Sequence, residues 1–469
     1  MRYISTRGLA PPVDFFEALL TGLAPDGGLY VPARWPQFSP ETIAAFAGQP
    51  FHDVVAAVML PFTGGTLGLA QLTGMTRQAY AHFDHPAVAP LVQIGRNRFI
   101  LELFHGPTLA FKDLAMQLVV RLMDHTLAAR NSCATIVGAT SGDTGGAAVE
   151  AFRSAERADL FILFPKDRVS DVQRRMMTTP KDRNIHAIAI EGTFDDCQRL
   201  VKDLFNDRRF RNRVCLAGIN SINWARIAAQ AAYYFAAAAA LGGPRRAVAF
   251  AVPTGNFGDV YAGHAARRSG LPVARLLAAS NANDILPRTY ATGRYETRAV
   301  VATSSPSMDI QVSSNFERYL FEAIDGDAAG VRARMEALSK TGQFDLGAAW
   351  PALRRDFAAA AATEEEVACT IRSVKAACGY LLDPHTACAV VAADKVPVSA
   401  DTPEAILATA HPAKFPAAME AIAGVRLGLP ARLANVTTDA ERVTVLANDS
   451  VQLMRLIGRR ARATQESLA

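Results

Sequence analysis

The stretch CATIVGATSGDTGG, residues 133–146, sets a short apolar run directly before a loop of glycines and hydroxylated residues, with helical spacing from about Gly146 onward. A compact β-rich run bounded in this way reads as a buried strand, and the loop after it as a strand-to-helix turn. The same arrangement returns in RAVAFAVPTGNFGD, residues 246–259. Outward from these two turns, strand-like runs at residues 99–104, 160–164 and 185–190 alternate with helical spacing at 113–129 and 194–205. Strands separated by helices of this length predict a parallel sheet covered by helices on both faces. Such sheets bind ligands beyond the carboxyl ends of their strands, where both glycine loops fall.

The rest of the chain organises around that alternation. Residues 1–88 read as a separate N-terminal unit, with a helix near residues 15–20 and the turn-rich APDGG at 24–28. A smaller α/β domain is expected over 89–212 and a larger one over 213–469. The larger carries a long irregular stretch beyond residue 280 and an alanine-rich helical region to about 395. Thr363 and Glu366 have the spacing of a capping box, and Asp383 followed by Pro384 marks a helix start.

Composition narrows the function classes. A chain of 469 residues exceeds one ordinary core, and with half its residues apolar and 20% charged it has the balance of a globular protein. The net charge of +5 suits an anionic small molecule and falls far short of a nucleic-acid binder. The basic clusters at 208–213 and 459–462 lack interleaved stacking aromatics and read as solvated surface. Six cysteines without a C-x-x-C pair are expected to be reduced, mostly core thiols, and nine scattered histidines form no metal-binding pattern. The apolar stretch 224–241 is interrupted by Arg226 and Gln230 and is rich in alanine, so a buried helix is expected there rather than a membrane span. MRYISTRG at the start has no apolar signal segment behind it, which predicts a cytoplasmic protein. Neither nucleic acid, membrane nor metal is an expected partner.

Three segments carry candidate chemistry. Residues 139–146 would expose backbone amides at a helix N-terminus, a ready anion site, or would simply need glycine for a tight turn. Gly255 and Gly258 leave room for a phosphate on the backbone amides, with a spacing that is neither the dinucleotide fingerprint nor a Walker loop. Two such loops could hold two anionic groups of one reaction centre. In ELFHGPTLAFKDLAMQ, residues 102–117, Lys112 stands at a helix start, where the helix dipole disfavours a cation, behind the apolar Leu109, Ala110 and Phe111. That setting describes either a partly desolvated, reactive amine or an ordinary surface lysine beside Asp113.

ELFHGPTLAFKD resembles the cofactor-lysine segment of threonine synthases, and further segments resemble the same family in the same order. These are YISTRG from residue 3, GLAPDGGLYVP from 22, TSGDTGG from 140, NSINWARI from 220, GNFGD from 255, NANDILPR from 281, SPSMDIQVSSNFER from 305, DPHTA from 383 and TAHPAKF from 409. The matches run from the first ten residues to beyond residue 410, and the long segment from 305 resembles the bacterial and fungal branch. The fold this implies is that of the fold-type II pyridoxal-phosphate enzymes (tryptophan synthase β-like), with two parallel-sheet α/β domains and an appended N-terminal unit. The implied reaction expels phosphate from O-phospho-L-homoserine and adds water at the β-carbon, giving L-threonine, in a monomer or homodimer.

The resemblance also implies roles. Lys112 would carry pyridoxal phosphate covalently, and Gly255, Asn256, Phe257, Gly258 and Asp259 would cradle its phosphate. Thr409 would face the pyridine nitrogen. Thr140, Ser141, Gly142, Asp143 and Thr144 would bind the substrate carboxylate and run along the cofactor ring. Many relatives in the wider fold place asparagine where Asp143 stands, and an ionised aspartate cannot donate the hydrogen bond an asparagine would. Asn220, Ser221 and Arg226 would hold the leaving phosphate, since an arginine fork suits phosphate geometry. His105, His385 and His411 stay outside the expected site. A serine or threonine dehydratase would share Lys112 and a phosphate loop but needs no clamp for a substrate phosphate.

Overall fold

The computed structural model describes residues 1–140, 142–218 and 221–466, which form two compact units. One unit comprises Met1–Ala18, Leu23–Phe111 and Ser221–Gly428. Its six-stranded sheet runs in the order Ala358–Ala361, Val273–Ser280, Val248–Pro253, Glu404–Ala408, Arg98–Glu102 and Leu91–Gly95. Every pairing is parallel except the last, an antiparallel edge hairpin. The central strands VAFAVP and EAILA are buried along their whole length, as a sheet covered on both faces requires. The helix Trp224–Ala240 is buried along most of its length too, in line with the expectation from its alanines. Small side chains let the helix Gly258–Arg268 approach it closely, and a Cβ on Gly263 would fall 2.7 Å from the Tyr234 ring. The N-terminal strands Tyr3–Ser5 and Tyr30–Pro32 pair antiparallel, and the Tyr3 hydroxyl donates to the Phe62 carbonyl at 2.7 Å.

The other unit holds Leu19–Gly22, residues 112–220 and the chain from Leu429 onward. Its five strands are all parallel, in the order Thr444–Ala447, Ile185–Glu191, Ala158–Pro165, Ala134–Ala139 and Leu216–Gly218. The C-terminal segment covers a sheet edge with Thr444–Ala447 and buries Leu453 and Ile457 of the helix Ser450–Arg460. Arg462 fastens it by donating its amide and Nε to the buried Asp159 at 2.7 and 2.8 Å.

Two expectations change in detail. The helix after the first glycine loop begins at Asp143, not near Gly146, because Thr140 closes the turn early. Only Cys133, Cys197 and Cys388 are buried; Cys369 and Cys378 lie on the outer side of a helix that buries Val367 and Ile371, and Cys215 is exposed. All six thiols are free. The capping box at Thr363 and Glu366 forms, and the Asp383 side chain caps the helix Pro384–Lys395. Among the described residues no helix is long and apolar enough to cross a membrane, and no cluster of acidic, histidine or cysteine side chains is placed to hold a metal.

Candidate active site

In the smaller unit the site is built at the carboxyl end of Ala134–Ala139, a strand flanked on both sides by parallel neighbours. Thr140 is buried, and its hydroxyl oxygen accepts from the amides of Gly142 at 3.0 Å and Gly145 at 2.9 Å. Gly142 has φ of 144°, a value L side chains rarely adopt, and a Cβ there would fall 2.5 Å from the Gln173 side chain. Gln173 Nε2 donates to Asp143 Oδ1 at 2.9 Å, and Lys112 Nζ lies 3.4 Å from Asp143 Oδ2. Lys112 opens the helix Lys112–Ala129 with its side chain 13% exposed, and that of Asp143 is 5% exposed.

This arrangement explains the departure at Asp143. A carboxylate accepts from Gln173 on one oxygen and from Lys112 on the other, whereas an amide would offer only one acceptor oxygen. Lys112, Thr140, Gly142 and Asp143 are therefore brought together, and Thr144 follows at the second helical position. Ser141 and Asn220 lie outside the described residues. Gln173 went unnoticed in the sequence, where nothing distinguishes it within an Arg-rich helix.

In the larger unit the strands Val248–Pro253 and Glu404–Ala408 are parallel neighbours, so residues 254–257 and Thr409 emerge side by side at their carboxyl ends. Phe257 adopts a left-handed conformation (φ 61°), and no side chain caps the helix Gly258–Arg268 that follows. Among the described residues the amides of Phe257, Gly258 and Asp259 meet no acceptor. The loop carbonyls, by contrast, are occupied. Gly255 O accepts from Ser313 Oγ at 2.6 Å, and Asn256 O accepts from the Asn315 amide and Nδ2, both at 3.1 Å. A Cβ on Gly255 would fall 2.9 Å from the Ser307 carbonyl oxygen, so only glycine fits this close approach. Free amides at a helix N-terminus, with no side chain in the way, form a cradle for an anion.

The Asp259 carboxylate takes no part in that cradle. It accepts from the Tyr233 hydroxyl and from the Tyr234 hydroxyl at 2.9 Å, in full burial. Burial pushes its pKa up to about 7 despite the opposing hydrogen bonds. The main-chain carbonyl of Asp259 also accepts from the Tyr234 hydroxyl, at 2.8 Å, which leaves the main-chain amide to meet a ligand.

Thr409 is 6% exposed, and its carbonyl accepts from the Phe111 amide at 2.9 Å. Its hydroxyl has no partner among the described residues. Ala110 bridges to Ala410, so the segment leading to Lys112 is tied along the chain around Thr409.

Arg226, the third residue of Trp224–Ala240, is 3% exposed, and its Nε and Nη1 have no partner among the described residues. Burial pushes its pKa down to about 10, opposed by the Tyr233 phenol. An uncompensated buried cation at the positive end of a helix calls for an anion. Ser221 precedes this helix, and its carbonyl accepts from Asn315 Nδ2 at 3.1 Å.

His385, outside the expected site, bears on it indirectly. Its Nδ1 pairs with Asp383 Oδ2 at 2.7 Å, and its Nε2 accepts from the Ser307 amide at 3.3 Å, behind Gly255.

Residues 2–80 match the family model for the threonine synthase N terminus, residues 84–410 that for pyridoxal-phosphate dependent enzymes, and residues 386–457 that for the threonine synthase C-terminal region. The chain is 49% identical over 459 residues to the threonine synthase of Pseudomonas aeruginosa, covering 97% of this chain and 98% of that protein. The chain belongs to the threonine synthase family. Among solved structures of the family, the PLP-bound threonine synthase of Brucella melitensis is 54% identical with a TM-score of 0.96, covering 98% of this chain and all of that one. The yeast threonine synthase is 36% identical with a TM-score of 0.92, covering 98% of each chain. The larger unit offers donors of the kind the family's cofactor takes: an uncapped helix N-terminus at residues 257–259 and an unengaged hydroxyl at Thr409.

Proposed function

We propose that this chain converts O-phospho-L-homoserine and water to L-threonine and inorganic phosphate with pyridoxal phosphate, acting in the cytoplasm as a monomer or homodimer. The observation that carries this reading is the presence of two separate anion-seeking features in the larger unit. One is the free-amide cradle at residues 257–259; the other is the orphaned guanidinium of Arg226. A dehydratase handles one phosphate, that of its cofactor; a phosphate-eliminating enzyme handles two.

When bound, pyridoxal phosphate supplies an electron sink for charge developing beside the substrate amine. Lys112 carries the cofactor and, once its amine is free, takes the α-proton and returns protons to the carbon chain. The Asp143 carboxylate gives the protonated form of that amine a counter-charge. Asn220, Ser221 and Arg226 hold the phosphate and neutralise the charge it gains as its bond to the γ-carbon breaks. The loop containing Thr140, Ser141, Gly142 and Thr144 orients the substrate carboxylate, and water adds at the β-carbon. Gly255, Asn256, Phe257, Gly258 and Asp259 hold the cofactor phosphate through main-chain amides, and Thr409 contacts the ring nitrogen.

The test is a side-by-side assay of the purified protein. Phosphate release from O-phospho-L-homoserine should far exceed keto-acid formation from L-serine or L-threonine. The reverse ratio would make the protein a dehydratase. Size-exclusion chromatography with light scattering separates monomer from homodimer.

A further inference from the structure

The segment SPSMDIQVSSNFER from residue 305 lies behind the phosphate cradle, and one side chain in it hydrogen-bonds both the cradle loop and Ser221, which precedes the helix bearing Arg226. Asn315 is fully buried. Its Nδ2 donates to the Asn256 carbonyl and to the Ser221 carbonyl, each at 3.1 Å, and its amide donates to Asn256 as well. Its Oδ1 accepts from Arg318 Nη1, so the three contacts together fix the orientation of the carboxamide. Arg318, itself fully buried, also donates to the Ile222 carbonyl and, from Nε, to the Tyr30 carbonyl at 2.9 Å. The next residue toward the N-terminus, Glu317, accepts from Thr6 Oγ1 at 2.7 Å and from Arg7 Nε and Nη2 at 3.1 and 3.0 Å. A Cβ on Gly258 would fall 3.2 Å from Asn315 Nδ2 and 3.6 Å from Ile227 Cδ1, so the cradle, Asn315 and the helix bearing Arg226 are in close contact.

We propose that Asn315 is a positioning residue that sets the spacing between the cofactor-phosphate cradle and the substrate-phosphate subsite, with Arg318 and the N-terminal strands as its backing. The inference rests on the reading of those two subsites given above. Two carbonyls facing one amide nitrogen leave a single arrangement in which both are satisfied. Any shift of residues 254–258 relative to 221–226 breaks one of the two bonds. Buried donors and acceptors tolerate that poorly, so the two loops move as one body. The backing through Tyr30 O, Thr6 and Arg7 gives the N-terminal segment, which contributes none of the proposed site residues, a part in holding that spacing.

Asn315→Asp tests this at constant shape. A carboxylate still accepts from Arg318 but presents an acceptor to the Asn256 and Ser221 carbonyls. On full-length holoenzyme, two quantities are read: cofactor release by equilibrium dialysis, and the inhibition constant of inorganic phosphate against O-phospho-L-homoserine. Both should weaken together, each about two- to tenfold, with the change expressed per folded molecule from a parallel urea titration. If Asn315→Asp does not fold, Asn315→Ala takes its place with the same expectation. A change in only one constant, or in the urea midpoint alone, overturns the proposal, because a merely structural residue lowers stability without moving either constant. Arg226→Ala in the same assays separates the two ideas. If it leaves phosphate inhibition unchanged, the substrate-subsite reading fails. If it weakens phosphate inhibition while Asn315→Asp does not, the inference about Asn315 fails by itself.

Discussion

At the end of the strand Ala134–Ala139 a threonine hydroxyl consumes two loop amides, while at the end of Val248–Pro253 no side chain caps the following helix and its first amides stay free. Both turns join a buried parallel strand to a helix through glycine and hydroxyl residues, and they look alike on paper. In the first, Thr140 takes two amides, Gln173 of another helix fills the space above Gly142, and Asp143 pairs with Lys112. The second is held from behind by Ser313 and Asn315 through its carbonyls, which leaves its amides for a ligand. How many amides a glycine-rich turn keeps for a ligand therefore depends on how many its own hydroxyls cap, and composition does not reveal that number.

The sharpest way to break this comparison is Lys112→Ala. Turnover should fall by about a thousandfold or more, because the covalent anchor and the base disappear together. If the second turn is the phosphate cradle, the variant should still bind cofactor measurably in equilibrium dialysis. Complete loss of binding would mean that the cradle holds nothing by itself. In the wild type, borohydride reduction and peptide mapping should place the label on Lys112.

Arg226→Ala comes next. Loss of a charge-assisted contact to phosphate should lower kcat/KM for O-phospho-L-homoserine by about ten- to a hundred-and-fifty-fold. Because Nε and Nη1 are buried without partners, Arg226→Met should also raise the melting temperature. A variant that loses both activity and stability would show that the guanidinium is structural.

Removing one hydroxyl at constant volume from the first turn, and one from the strand end beside the second, then separates a hydroxyl used internally from one left for a ligand. Thr140→Val leaves two amides without their acceptor and should cost roughly 2–4 kcal/mol in urea unfolding. Thr409→Val removes a hydroxyl with no internal partner, so stability should hold while cofactor affinity falls by roughly fivefold. Equal stability losses would show that the Thr409 hydroxyl has an internal partner as Thr140 does.

The smallest effect is expected at Asp259. With its pKa pushed up to about 7, folding favours the protonated carboxyl. That stability is fully present below about pH 4 and is lost as pH rises toward 7. Asp259→Asn keeps an acceptor for both tyrosines and should gain a few degrees in melting temperature over wild type at pH 8, and almost none at pH 4. A constant difference across that range would place the titration elsewhere.

Periodicity and turn chemistry were enough to reveal the α/β alternation, the strands at 134–139 and 248–253, the buried alanine-rich helix and the caps at Thr363 and Asp383, because each is set by residues within a few positions of one another. The family resemblance likewise singled out Lys112, Arg226, Thr409 and both loops as expected site residues. Strand order was another matter. The six-stranded sheet gathers strands from residues 91 to 408 and skips all those between 134 and 218, which build the second sheet with a strand from 444. Pairing across hundreds of residues leaves no local periodicity to read. The same holds for side-chain direction: GNFGD offers Asp259 as a ligand, yet Tyr233 and Tyr234 on another helix turn its carboxylate inward. TSGDTGG offers free amides, yet Thr140 occupies two of them. Which polar groups remain for a ligand depends on what the folded neighbours have already satisfied, and only the tertiary structure decides that.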